Sequence, residues 1–293
     1  MAQLAHLLID PLAYPFMVRG LLAAVLVGMV CATVGVYIVL RGMAFFGDAL
    51  AHAILPGVAV GYLVSGGDQT VMFWFALVTA VLTAIGIGAI SKGAALKEDT
   101  SIGIMFAGMF ALGIALISTV RCYAVDLAHF LFGNVLGVSS QDLGLIFMFG
   151  GIVIITIILF YKEFLVIAFD PILAATLRIP ADFLNFLLFV LLAITIVVSL
   201  QTVGVALMLA MLVTPPATAY LLTRRLPTMM AMSAAIGAFS GVVGLYLSYY
   251  VSVASGAAIV LVSTFIFLLV ALFAPRRGWV WKGATRAAAR RYR

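Results

Sequence analysis

From Tyr14 to Ala274 the chain runs through one apolar stretch after another, each long enough to cross a bilayer, and only three connections, Ser91 to Thr100, Arg121 to Asp142 and Tyr161 to Asp182, are longer than a turn requires. A membrane-crossing helix needs roughly 17 to 25 predominantly apolar residues. Segments of that kind lie at Tyr14 to Leu40, Ala44 to Ser65, Thr70 to Ile90, Ser101 to Thr119, Leu143 to Phe160, Phe183 to Leu200, Gly204 to Thr223, Thr228 to Val251 and Gly256 to Ala274. Hydrophobic residues make up 66% of the 293 positions and charged residues 9%, with a mean hydropathy of +1.30, which leaves too little polar surface for a soluble domain of this length. The expected fold is all-α: a polytopic bundle of nine transmembrane helices in a single domain, residues 1–293.

Cytoplasmic loops collect Lys and Arg. Placing the C-terminus inside puts Arg41, Lys92, Lys97, Lys162, Arg178, Arg224, Arg225 and the basic tail 275–293 on the cytoplasmic side, with Arg19 and Arg121 outside. An odd number of spans then puts the N-terminus outside. The net charge of +6 is therefore an orientation signal and gives no case for nucleic-acid binding, although the Arg-rich tail can meet anionic lipid. No cleavable signal peptide is expected, because the first apolar segment is too long and lacks a basic lead. Cys31 in mid-helix and Cys122 at an outer end offer no disulfide framework.

Of the ten acidic residues, only Asp48 falls within a span rather than at an end or in a loop, and His52 is the one intramembrane histidine. A spacing of four puts both on one helical face. A charged group at membrane depth costs ~2.5 to 3.5 kcal/mol even on insertion scales, so such residues line polar paths or face partners. Carboxylate plus imidazole suits a first-row divalent cation such as manganese, iron or zinc. Two other readings fit the same spacing: Asp48 orienting His52 or bonding freed backbone, and a proton relay.

Prolines mark two further places. Pro56 cannot donate to the His52 carbonyl and weakens the helix there, while Pro215 and Pro216 free the carbonyls of Met211 and Leu212 beside the hydroxyls of Thr214 and Thr218. Broken backbone at membrane depth lines a wet cavity or is satisfied by neighbouring helices. Both remain open for Pro56, Thr214, Pro215, Pro216 and Thr218. Gly57/Gly61 and Gly237/Gly241 permit close helix contact.

The longest cytoplasmic connection, residues 161–182, contains the pattern of a short helix: Asp170 as cap, Pro171 at the first position, Pro180 as stop. Ile172, Leu173, Ala175, Thr176 and Leu177 give it an apolar side, for docking on a partner or on its own bundle. No GxxxxGK[ST] sequence occurs, so the chain has no P-loop with which to hydrolyse ATP, and no nucleophile elbow or HExxH helix marks an enzyme site.

RGMAFFGDALAHAILPGVAVGYL (Arg41 to Leu63) resembles the most recognisable motif of the bacterial metal-type ABC importer permeases, which take up manganese, zinc or iron chelates. DLAHFLFGNVLGVS (Asp126 to Ser139), FDPILAATLRIP (Phe169 to Pro180) and QTVGVALMLAMLVTPPATAYLLTRR (Gln201 to Arg225) follow in that family's order, so the resemblance covers nearly the whole chain. It implies the type II importer fold of the cobalamin and siderophore permeases, without a counterpart of their first helix. It further implies a homodimer in the bacterial cytoplasmic membrane, two copies of a separate ATPase that bind the ATP, and an extracytoplasmic metal-binding protein that delivers the ion. The metal is cargo, and no permanent cofactor is expected. By the same resemblance Asp48 and His52 coordinate metal, and the block Asp170, Pro171, Ile172, Leu173, Ala175, Leu177, Arg178 and Pro180 is the helix that couples to the ATPase. The family's Gly after the Leu of that block is replaced here by Arg178. The block around His129 looks closer to manganese and iron members than to zinc members. Outside this family, a secondary metal transporter or channel using Asp48 as its ion or proton site would need no ATPase.

Overall fold

The computed structural model describes residues 10–118, 135–169, 174 and 176–274. Among them are eleven α-helices: α1 (Pro15–Arg41), α2 (Phe46–Ala53), α3 (Leu55–Ser65), α4 (Gln69–Gly93), α5 (Glu98–Ser118), α6 (Ser140–Leu159), α7 (Tyr161–Phe169), α8 (Ala181–Val203), α9 (Val205–Leu222), α10 (Leu226–Val251) and α11 (Ser255–Phe273). No strand occurs among the described residues. With α2 and α3 counted as one interrupted crossing, nine segments are long and apolar enough to span a bilayer, at the places the sequence indicates.

The long helix α1 is the central post. It packs against α6, α8, α9 and α10, and its stretch from Cys31 to Ile38, in the C-terminal half, is buried throughout. Lipid tails are as apolar as leucine, so helices in a bilayer associate through close packing and hydrogen bonds rather than through the hydrophobic effect. The contact of α1 with α10 is of that kind: a Cβ added to Gly28 would stand 2.8 Å from the Gly237 carbonyl oxygen. Four residues on from Gly28, the Ala32 carbonyl accepts from the Ser233 hydroxyl of α10 at 2.8 Å.

On the other side of the molecule α2, α3, α4 and α5 form a second group, joined to α1 through α8 and through the short turn after Arg41. Gly42 makes that turn in the left-handed region, φ 74°, and its N–H bonds back to the carbonyls of Ile38 and Val39. The outward faces of α5, α6 and α11 carry exposed large apolar residues such as Ile104, Phe147, Ile155 and Phe265, as a lipid-facing surface should.

Two departures from the sequence reading have physical causes. The connection after α6 does not begin as a loop: Tyr161–Phe169 forms α7, because Phe164 is fully buried against the Tyr37 ring, 5.5 Å between centroids. The double proline does not break α9, which runs from Val205 to Leu222 with Pro215 and Pro216 inside it and buried. The Leu212 carbonyl, which loses its donor to Pro216, lies directly on Gly35 of α1, where any Cβ would overlap it. The Thr218 hydroxyl donates back to the Thr214 carbonyl at 2.8 Å, a bond within α9 that keeps this polar side chain paired. The helix thus keeps its course through both prolines because a glycine of α1, with no side chain to clash, leaves room for the carbonyl beside them.

Candidate functional site

Phe46–Ala53 and Leu55–Ser65 are separate helices because Pro56, in the first turn of α3, has no N–H to continue the ladder. The break falls at Ile54, directly after the short helix that carries Asp48 and His52. Asp48 lies in the first turn of α2 and His52 in the last, the placement that the helix dipole favours for an acid and a base. Their side chains meet as the i, i+4 spacing requires, with His52 Nε2 at 3.6 Å from Asp48 Oδ1. That exceeds hydrogen-bond length. Both remain open to solvent, Asp48 at 38% and His52 at 29%, inside a segment otherwise buried from Ala49 to Ala59.

The other edge of the imidazole is dry. Nδ1 is buried and has no hydrogen-bond partner among the described residues. It is enclosed from α5, where Phe110 stands edge-on to the His52 ring at 5.7 Å and Phe106 lies tilted at 6.2 Å. These two phenylalanines stack on each other at 5.6 Å, and Phe45 meets Phe106 edge-to-face. Aromatic pairs of this geometry are worth ~0.5 to 1.5 kcal/mol each. They fix the ring plane and leave Nε2 as the imidazole's outward donor. Further along α5, Gly113 allows the helix to cross the break itself, for a Cβ there would come 2.6 Å from that of Leu55 and 3.1 Å from the Pro56 nitrogen.

Asp48, His52 and Pro56 are therefore brought together, whereas Thr214, Pro215, Pro216 and Thr218 lie on α9, packed towards α1. No group of three or more His, Cys, Asp or Glu side chains gathers among the described residues, so the pair stands as two donors. Of the proposed coupling block, Asp170, Pro171, Ile172, Leu173 and Ala175 fall outside the described residues, as does His129. Leu177 is exposed and Pro180 caps α8. Arg178 sits at φ 54°, in the left-handed region that glycine enters without the steric cost borne by other residues. The residues that sequence reasoning missed are Phe106, Phe110 and Gly113. Their helix is apolar on every side, so no face of it is marked in advance.

Nine bilayer-length crossings among the described residues, with an acid and an imidazole held half-open at a break inside one of them, are the build of a transporter's membrane subunit. Residues 13–274 match the ABC 3 transport family. The chain is 45% identical to the manganese transport system membrane protein MntC of Halalkalibacterium halodurans over 97% of both chains. It is 36% identical to the chelated iron transport system membrane protein YfeD of Yersinia pestis, over 93% of this chain and 90% of that one. The solved structure of PsaBC from Streptococcus pneumoniae in complex with Fab superimposes with a TM-score of 0.81 at 38% identity, covering 96% of this chain and 99% of the other. The chain belongs to the ABC 3 transport family, as a multi-pass membrane permease of a bacterial ABC importer.

Proposed function

We propose that this permease carries a divalent first-row transition metal into the cell, manganese foremost, and that Asp48 and His52 supply two of the ion's ligands on the way. The observation that carries the reading is the 3.6 Å between Asp48 Oδ1 and His52 Nε2, with both side chains open to solvent and the ring held from behind. Two donors bound at ~2.1 Å to one ion stand about 3.0 to 3.5 Å apart in octahedral or tetrahedral geometry, so only a small adjustment separates the pair from a chelate. Carboxylate and imidazole together are a borderline donor set that accepts manganese, iron and zinc. Manganese is favoured by the name of the MntC relative; chelated iron, the cargo named for YfeD, is the second choice.

Two ligands bind loosely, which suits a path that must release its cargo. A second copy of the chain, presenting the same pair, would complete the coordination. In this reading a homodimer faces an extracytoplasmic metal-binding protein outside and two ATPase subunits inside. The C-terminus is cytoplasmic and the N-terminus outside. ATP turnover on the partner acts through the block from Asp170 to Pro180 and alternates access to the pair.

The test is the metal content of a deletion strain, measured by mass spectrometry. A manganese deficit restored by the wild-type gene but not by Asp48→Ala or His52→Ala is the expected result. An iron or zinc deficit with normal manganese would reassign the cargo. Full restoration by both variants would remove the pair from the ion's path.

A further inference from the structure

Arg41 ends α1 at the foot of the bundle, seven positions before Asp48, with its side chain only 9% exposed. Its guanidinium reaches two other helices at once. Nη2 donates to Asn185 Oδ1 of α8 at 2.6 Å, and Nη1 lies 3.6 Å from the Glu98 carboxylate that opens α5. Each contact leads to a different part of the machinery. Asn185 stands five positions after Pro180, where the block proposed to couple to the ATPase runs into α8. Glu98 begins the helix whose Phe106 and Phe110 hold the His52 ring. Arg41 itself leads through the Gly42 turn into the helix of Asp48 and His52.

A second tie links the foot of α8 to the same region, Lys92 Nζ to Asp182 Oδ2 at 2.5 Å, but its side chains are 61% and 63% exposed. An exposed pair is soft and screened by salt, whereas a buried guanidinium hydrogen-bonded to Asn185 on one side and ion-paired with Glu98 on the other is stiffer and penalises the loss of either partner more. We infer that Arg41 is a positioning residue for transport, the rigid link through which movement of the foot of α8 shifts α2 and α5, and with them the Asp48/His52 pair. This rests on the proposed function, since it needs an ATPase acting near Pro180.

The experiment uses the permease assembled with its ATPase and binding protein in proteoliposomes, and reads Mn2+ accumulated per phosphate released. Asn185→Leu, which removes the hydrogen-bond acceptor, and Glu98→Gln, which removes the charge that pairs with Nη1, both at similar volume, are expected to lower that ratio by at least about fivefold, the lower end of allosteric couplings. Asn185→Asp keeps the acceptor and is expected to retain the wild-type ratio. Lys92→Ala, cutting the soft tie, is expected to stay within about twofold of wild type, less than any such coupling. Wild-type ratios in both Asn185→Leu and Glu98→Gln overturn the inference. So does a ratio in Asn185→Asp as low as in Asn185→Leu, or an equal fall in Lys92→Ala. A wild-type complex that hydrolyses ATP without accumulating Mn2+ or another divalent metal refutes the transport reading and the inference with it.

Discussion

Along α1 the backbones of α9 and α10 come so near that glycine alone fits at Gly28, Gly35 and Gly237, whereas around Asp48 and His52 the neighbours are long aromatic side chains and one side stays open. The first seam has no spare volume at these glycines, and the Ser233 hydroxyl ties α10 to the Ala32 carbonyl across it. The second keeps two chemically active groups half-solvated, one of them with a bare Nδ1. Close backbone contact makes a helix pair rigid and intolerant of change. Side-chain walls around an open pair allow ligands to be exchanged and the ring to be re-aimed. The difference separates what must not move from what must.

Gly35→Val should break the comparison most severely. Its branched side chain would overlap the Leu212 carbonyl, and backbone cannot retreat as a side-chain tip can. Overpacking costs ~1 to 3 kcal/mol when side chains can adjust, and more where they cannot. The expected outcome is loss of monodisperse permease in detergent, read by size-exclusion chromatography. A well-behaved Gly35→Val protein would mean that the seam is looser than its geometry indicates.

His52→Ala should do the opposite. Metal uptake is expected to fall more than about tenfold, since even outer-shell partners of metal ligands cost 10- to 100-fold. The thermal midpoint should stay within about 3 °C of wild type, the shift ~1 kcal/mol produces in a chain of this size. A large loss of stability with unimpaired uptake would make His52 part of the scaffold. Phe110→Ala tests the wall behind it. Losing an edge-on ring contact worth ~0.5 to 1.5 kcal/mol should lower uptake by about two- to tenfold while protein yield holds. The smallest effect belongs to Lys92→Ala, whose exposed ion pair is worth ~0 to 1 kcal/mol. Any drop in thermal midpoint should shrink as salt is raised.

The spans were legible because bilayer thickness imposes a length on every crossing, and the break at Ile54 because proline removes a specific donor. Asp48 and His52 could be found because a polar group in a span is conspicuous. The continuity of α9 through Pro215 and Pro216 could not, since it depends on Gly35 lying opposite, a contact between residues far apart in sequence. Arg41 was visible in its motif but its partners were not, for Asn185 is 144 positions away. Arg178 stands in the left-handed backbone that favours glycine, which gives a physical reason for the Gly that the family resemblance leads one to expect there.

The central post has a consequence for how the protein is made. Its glycine seam is completed only by α10, and Gly28 leaves the ribosome 209 residues before Gly237. At synthesis rates of ~5 to 20 residues per second, the first long helix waits in the membrane for about 10 to 40 s before its main partner exists. During that time its small-residue face is open to any other helix nearby, so insertion of this permease is the stage at which wrong pairing, or capture by an insertion factor, has its chance.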